Sequence, residues 1–316
     1  MTSMAVAIVN FNARDYLRAC LASIQPEAPA RTVVVDNGST DGSIEMVRAE
    51  FPWVELELDP SNRGYGAAAN RALRRCRDEY VLVLNSDTEL EPGVLGALAA
   101  YLGAHPRAAV VGPRVVNPDR TLQPSCFPFP TPLTAFLSET DLGYLIRFIP
   151  VLRKRYLRTW PHDAARVVPW VRGAALAIRR GPFEAIGGFD EEFRMYFEEV
   201  DLCYRAAAAG WEVHFTPVGD VVHHGGVSTR QYRAAMLAQY YESMYLFYRR
   251  HYPAARLQRL RSLIRSVALA RLARDRARLT LAGAEETRRR LAADIALWRE
   301  LRRGARGEAV TAARHG

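Results

Sequence analysis

The chain has 316 residues, of which 49% are hydrophobic and 24% charged, and its 21 Gly and 18 Pro follow no repeating period. That composition excludes disordered, collagen-like and low-complexity chains and leaves one large folded domain or two ordinary ones. The net charge of +9 is concentrated at one end, since residues 254–316 hold 16 Arg against 6 Asp and Glu while the remainder is close to neutral, with 27 basic and 28 acidic residues; this argues against a nucleic-acid groove on the main body and for a tail that meets a surface or a partner.

In chain order, apolar runs of strand length alternate with helical spacing. Ala5 to Val9 ends at Asn10-Phe11-Asn12, and Leu17, Leu21 and Ile24 then recur with a helical period. Val33 to Val35 is stopped by Asp36-Asn37-Gly38-Ser39, with Thr40 or Asp41 placed to cap the next helix. Val54 to Leu58 leads through Pro60 to Gly64 into Ala68, Ala69, Ala72, Leu73 and Cys76, and Tyr80 to Leu84 ends at Asn85-Ser86-Asp87 before a helix that follows Pro92. Four consecutive strand-then-helix units with uninterrupted apolar strands predict an α/β fold, with a mostly parallel sheet covered by helices on both faces.

From Pro113 to Pro169 the texture changes: proline recurs and the apolar residues lack a period, which predicts an irregular insertion serving as a lid or acceptor-binding loop. Regularity returns at Trp170 to Ile178, turns at Gly187-Gly188-Phe189-Asp190, and continues as a helix from about Tyr196 to Ala209. Val213 to Val222 reads as a short hairpin ending in His223-His224-Gly225-Gly226. From Ala254 onward Leu257, Leu260, Leu263, Ile264 and Val267 form a helical stripe among arginines. The catalytic part is therefore expected over residues 1–230, with the insertion at 113–169, and a basic helical region over 231–316. Cys20, Cys76, Cys126 and Cys203 have neither zinc nor disulfide spacing, which suits a reducing cytosol. No apolar run reaches membrane-spanning length, and the N-terminal run is short for a signal peptide. A cytoplasmic protein, or one peripheral on the inner face of the cell membrane, is expected.

In open α/β sheets ligands bind beyond the carboxyl ends of the strands, where the polar clusters fall. Asp87 follows the fourth strand without a gap, and its carboxylate suits a hard cation such as Mg²⁺ or Mn²⁺. Asp36 can accept hydrogen bonds from a nucleobase or ribose. Phe197-Glu198-Glu199-Val200-Asp201 places three carboxylates in four positions: Glu198 and Asp201 share a helix face and Glu199 points elsewhere, and a carboxylate among carboxylates beside an apolar ring suits a general base. Of His223 and His224, neighbours on a strand, only one should enter the site.

Taken together, Val6-Ala-Ile-Val-Asn-Phe-Asn, Val34-Val-Asp-Asn-Gly-Ser-Thr-Asp-Gly-Ser, Asn62-Arg-Gly-Tyr-Gly-Ala-Ala-Ala-Asn70, Leu84-Asn-Ser-Asp-Thr-Glu, Gly187-Gly-Phe-Asp-Glu-Glu-Phe, Tyr196-Phe-Glu-Glu-Val-Asp-Leu and His223-His-Gly-Gly-Val-Ser resemble, in order, the family 2 glycosyltransferases of GT-A fold, and among them bacterial rhamnosyltransferase-like members. The likeness spans about residues 4 to 230. It implies inverting transfer of a sugar, rhamnose among such members, from a UDP- or dTDP-sugar to a glycan or lipid-linked acceptor. By that likeness Asp36 reads the base, Asn10, Asn62, Arg63, Gly64, Asn70, Asn85 and Ser86 line the nucleotide-sugar site, and Asp87 closes a DxD motif whose first position is here Asn85. Asp87 and His223 would then hold the metal, Glu199 would be the base, and Glu198, Asp201 and Arg172 would lie on the acceptor side. His223 is preferred to His224 because it keeps the family's spacing to Gly226 and Ser228. The alternatives are a nucleotidyltransferase, disfavoured by the lack of a Gly-rich loop with a basic residue after the first strand, and a non-catalytic nucleotide-sugar-binding scaffold, suggested by Asn85. The basic tail is expected to lie on anionic lipid, on the catalytic part or on a second subunit.

Overall fold

The computed structural model describes residues 4–139, 160–225, 233–281 and 283–305. Its elements run β1 (Met4–Asn10), α1 (Arg14–Ile24), β2 (Thr32–Asp36), α2 (Ser43–Glu50), β3 (Glu55–Leu58), α3 (Tyr65–Arg75), β4 (Tyr80–Asn85), β5 (Thr88–Leu90), α4 (Val94–Ala104), β6 (Ala108–Val116), β7 (Cys126–Phe127), α5 (Pro132–Glu139), β8 (Arg166–Val167), β9 (Trp170–Val171), β10 (Ala175–Arg179), α6 (Arg180–Ala185), α7 (Glu198–Ala208), β11 (Glu212–His223), α8 (Arg233–His251), α9 (Ala254–Leu281) and α10 (Glu285–Gly304). They form two compact units, one of Met1–Phe129 with Ile149–Gln231 and the other of Pro130–Phe148 with Tyr232–Gly316.

In the first unit the sheet order is β3-β2-β1-β4-β10-β6-β11-β5, with β8 also on β11. The parallel block expected from the repeating units, β3-β2-β1-β4, ends there: β10 lies antiparallel to both β4 and β6, whereas β6 and β11 run parallel. Alternate residues of the strands feed two cores. Val6, Ile8, Val34, Leu82 and Leu84 pack with α1, α2 and α4, while Ala7, Val9, Val35, Val83 and Leu176 pack with α3 and α7. Both faces are covered, which is why β1, β2 and β4 are apolar without alternation. Each fully buried Leu, Ile or Val contributes about 1.5–3 kcal/mol.

Two local expectations change. Residues 212–223 form one long strand, not a hairpin. The Pro217-Val218-Gly219 stretch that reads as a turn is a register shift between Thr216 and Asp220, and α4 comes so close that a Cβ on Gly219 would meet Val94 at 2.5 Å. Helix α7 begins at Glu198, because Tyr196 and Phe197 hold left-handed φ values of 66° and 68°, a strained approach that concentrates at functional sites.

The irregular insertion is divided. Phe127 stacks on Trp170 at 4.7 Å and Phe129 packs edge-on to Tyr204, so these aromatics sit in the first unit, whereas α5 belongs to the second; residues 140–159 of the expected lid lie outside the described residues. In the second unit Leu260, Ile264, Ala268 and Leu272 of α9 and Leu291, Ile295 and Trp298 of α10 are buried. Asp275 is buried there as well, bonded by Arg274 Nε at 2.8 Å and Trp298 Nε1 at 3.2 Å; the Arg274 guanidinium holds its carboxyl below the usual range. No helix of the described residues is long and apolar enough to cross a membrane. All four cysteines are buried free thiols, and burial pushes each up to about 12, so none is a ready nucleophile.

Candidate active site

The carboxyl ends of β2, β1 and β4 are neighbours in the sheet, so register alone brings Asp36, Asn10 and Asn85 side by side: Asn10 pairs with Asp36 and Val9 with Asn85. Asn10 Nδ2 donates to Asp36 Oδ2 at 2.8 Å and to the Ser39 hydroxyl at 3.1 Å. Asp36, only 1% exposed, also accepts from the backbone N–H groups of Gly38 and Ser39, which fixes the loop after β2. Asn37 Nδ2 donates to Asn62 Oδ1 at 2.9 Å and so joins that loop to the one before α3. Among the described residues the buried Oδ1 atoms of Asn10 and Asn37 have no partner. Buried acceptors left open at strand ends mark a place for a donor-bearing ligand.

The loop from Asn62 to Gly64 is pressed against the segment leading into α7. Tyr65 N–H donates to the Arg194 carbonyl at 2.7 Å, and Gly64, at φ 110°, leaves no space for a side chain, since a Cβ would stand 2.3 Å from that same oxygen. Arg63 is half exposed and faces Asp59 at 3.6 Å and Glu191 at 3.7 Å. Asn70 has another use from the one expected: its amide accepts from Phe189 N–H at 2.9 Å and donates to the Phe189 carbonyl at 2.8 Å and to Glu191 at 3.1 Å, clamping the Gly187-Gly188 turn onto α3. Asp201 is likewise structural. It binds Arg205 Nε at 2.7 Å, and Arg205 donates to the carbonyls of Ile186 and Gly188 on the same turn.

Beyond β4, Ser86 is buried and the Asn85 carbonyl accepts the Thr88 hydroxyl at 2.8 Å. Strand β5 then pairs with β11 so that His223 lies opposite Thr88 and returns beside Asp87, with His223 Nε2 3.3 Å from Asp87 Oδ1. His224 points to the other face, bonded to Glu89 at 2.6 Å and edge-on to Tyr16. One His of the pair therefore enters the site, as the strand period requires. Residues 226–228, which complete the His motif, lie outside the described residues.

Glu199 approaches from α7. Its chain lies against the backbone of Gly173, between β9 and β10, and the Tyr65 hydroxyl donates to the Gly173 carbonyl at 3.4 Å. Burial pushes the Glu199 carboxyl up, against the opposing pull of backbone N–H groups and the Arg172 guanidinium. Burial and then the charge of Glu199 push Glu198 well above the usual carboxylate range. Each has an Oε2 that no group among the described residues satisfies. Burial, followed by the charges of Glu198, Glu199 and Asp87, also raises the Tyr65 hydroxyl well above its ordinary value.

Sequence reasoning missed Tyr65, Gly173 and Gln123. Gln123 Oε1 lies 2.6 Å from His223 Nδ1 and 3.4 Å from Arg172 Nη1, so it links the His223 and Glu199 sides of the crevice. It sits in the aperiodic insertion, where no local pattern points to it. A divalent cation fits the donor set in part. Carboxylate oxygen and imidazole nitrogen are suitable ligands and face one another, but among the described residues no group of three or more His, Cys, Asp or Glu could enclose an ion.

The class follows from fold and comparison. Two solved glycosyltransferases of GT-A type share the fold: a mannosyltransferase from Pyrobaculum calidifontis in complex with GDP-Man and Mn²⁺, with TM-score 0.55 and 20% identity over 96% of this chain and 84% of that one; and GalNAc-T7 with UDP, GalNAc and Mn²⁺, with TM-score 0.53 and 16% identity over 71% of this chain and 44% of that one. The profile of glycosyl transferase family 2 matches residues 5–159. The N-acetylglucosaminyl-diphospho-decaprenol L-rhamnosyltransferase of Mycobacterium tuberculosis is 32% identical over 257 residues, 77% of this chain and 83% of its own. The rhamnosyltransferase WbbL of Escherichia coli is 21% identical over 235 residues, covering 72% and 85%. The chain belongs to glycosyl transferase family 2 and is a glycosyltransferase.

Proposed function

We propose that the protein is an inverting glycosyltransferase that moves rhamnose from a nucleoside diphosphate donor, UDP- or dTDP-linked, to a hydroxyl of a lipid-linked or glycan acceptor in cell-surface polysaccharide assembly. The observation that carries this reading is the approach of Asp87 and His223 to 3.3 Å at the strand ends that also hold Asp36, with Glu199 and the Tyr65 hydroxyl both meeting Gly173. The named rhamnosyltransferases among its relatives support the choice of sugar and of a lipid diphosphate acceptor.

Asp36 braces the loop that receives the nucleoside and keeps acceptor capacity for the base, and the open Oδ1 atoms of Asn10 and Asn37 take hydroxyl or amide donors of the nucleotide. Asp87 and His223 would hold Mg²⁺ or Mn²⁺, which supplies charge neutralisation to a departing diphosphate. Glu199, with its proton affinity raised by burial and one oxygen open, removes the proton from the acceptor hydroxyl as that oxygen attacks the anomeric carbon from the face opposite the diphosphate. Burial and the neighbouring Glu199 charge favour the protonated form of Glu198 beside it, and Arg172 lies on the acceptor side.

The exposed arginines of α9 and α10, among them Arg259, Arg265, Arg276, Arg289 and Arg299, suit an anionic lipid surface on the cytoplasmic face, where such an acceptor is embedded. Sedimentation with anionic vesicles should fall as salt is raised. The test of the chemistry is transfer and donor hydrolysis with dTDP-rhamnose: an active parent with Glu199→Gln and Asp87→Ala both inactive is expected. A parent inert across donors would instead favour a nucleotide-sugar-binding scaffold.

A further inference from the structure

Gln123 stands at the junction of the two sides of the site, and its four polar contacts have signs that cannot all be reversed. Its Nε2 donates to Asn117 Oδ1 at 2.9 Å and to the His223 carbonyl at 3.3 Å, while its Oε1 accepts from Arg172 Nη1 at 3.4 Å and lies 2.6 Å from His223 Nδ1. A carbonyl only accepts and a guanidinium only donates, so these two neighbours fix which end of the amide is oxygen. The oxygen therefore faces the imidazole, and Nδ1 must carry the hydrogen. In the neutral ring that leaves a lone pair on Nε2, which is the atom 3.3 Å from Asp87 Oδ1. Two electron-pair donors then face one another with no proton between them, an arrangement that a shared cation relieves.

We propose that Gln123 is a positioning residue that holds His223 in the Nδ1–H tautomer and aims its Nε2, together with Asp87, at a divalent cation. The inference rests on the reading of Asp87 and His223 as metal ligands, and it adds the residue that makes the histidine competent. The same amide oxygen also accepts from Arg172, whose charge acts on Glu199, so Gln123 ties the orientation of the metal-side histidine to the base side of the site.

The full chain, labelled with ¹⁵N-histidine, freed of metal and held at pH 9, gives the tautomer directly by NMR. The His223 signals, assigned by their loss in His223→Gln, should show the hydrogen on Nδ1. Hydrogen on Nε2 in the parent would overturn the proposal whatever any variant does. Gln123→Met, close in length but without an acceptor, should release the ring to Nε2–H or a mixture and weaken Mn²⁺ binding, followed by electron paramagnetic resonance, about 10–100-fold. Gln123→Glu, which restores an acceptor, should keep the Nδ1–H tautomer and Mn²⁺ affinity within about 3-fold of the parent. An unchanged tautomer and unchanged affinity in Gln123→Met would overturn the proposal. If Asp87→Ala binds Mn²⁺ as well as the parent, the metal reading itself falls, an outcome distinct from the wrong tautomer.

Discussion

The two ends of the central sheet carry polar clusters of similar composition and opposite design. At the amino ends of β6 and β11, the Tyr101 hydroxyl meets His214 Nδ1 at 3.1 Å, His214 Nε2 meets the Glu212 carboxylate at 2.9 Å, and Tyr101 stacks on His105 at 4.0 Å. Arg179 closes the same end with bonds to the carbonyls of Leu102, His105 and Ala108. Each of these groups has a partner, and the Glu212 carboxyl is held below its usual range by the His214 hydrogen bond. At the carboxyl ends, Asn10, Asn37, Glu198 and Glu199 each keep an atom that nothing among the described residues satisfies, and both glutamates are raised. A carboxylate beside an imidazole can be simple structure. Buried polar atoms left open where the chain approaches under strain are what set a site apart.

That contrast can be broken most directly at Glu199. Glu199→Gln keeps the shape and removes the base, so kcat should fall about 10²–10⁴-fold with little change in donor affinity. A loss confined to KM in steady-state kinetics would remove Glu199 from the chemistry. The next largest effect belongs to a structural residue. Asn70→Ala leaves the buried N–H and carbonyl of Phe189 without partners and should cost about 1–3 kcal/mol in denaturant unfolding.

Glu198→Gln separates the adjacent carboxyls. Glu198 has a folded pKa raised above its unfolded value, so the folded state binds the extra proton, and stability is lost as pH rises from the ordinary carboxylate range toward the raised value. The slope is at most about 1.4 kcal/mol per pH unit, and it levels off above the folded value. Thermal unfolding should therefore show Glu198→Gln gaining on the parent with rising pH across that window. Because glutamine keeps the shape of a carboxyl whose proton burial holds more tightly, kcat should stay within about 3-fold, against the large loss at Glu199. The smallest effect is at the satisfied end: Tyr101→Phe should cost about 1 kcal/mol in stability and leave kcat/KM unchanged. A rate loss there would mean that the two ends are coupled.

Much of this was legible in the residues. The apolar runs at Ala5–Val9, Val33–Val35 and Tyr80–Leu84 are buried on both faces and so must be interior strands, and the polar residues that stop them necessarily fall at one edge. Other readings failed where a distant segment decides the local one. Pro217-Val218-Gly219 looks like a turn, yet pairing with β6 on one side keeps the strand running through it. The motif residues Asn70 and Asp201 also hold the 186–189 turn, a use that no local pattern announces. Gln123 gives no local signal at all.

By itself the sequence determined that Ala5–Val9, Val33–Val35 and Tyr80–Leu84 are interior strands and where each of these ends, because burial on both faces leaves a continuous apolar run, a local property of the chain. Only the tertiary structure decided which polar atoms find partners: that depends on β5 and β11 pairing to return His223 to Asp87, and on residues 123, 173 and 199 meeting across gaps in sequence that no period spans.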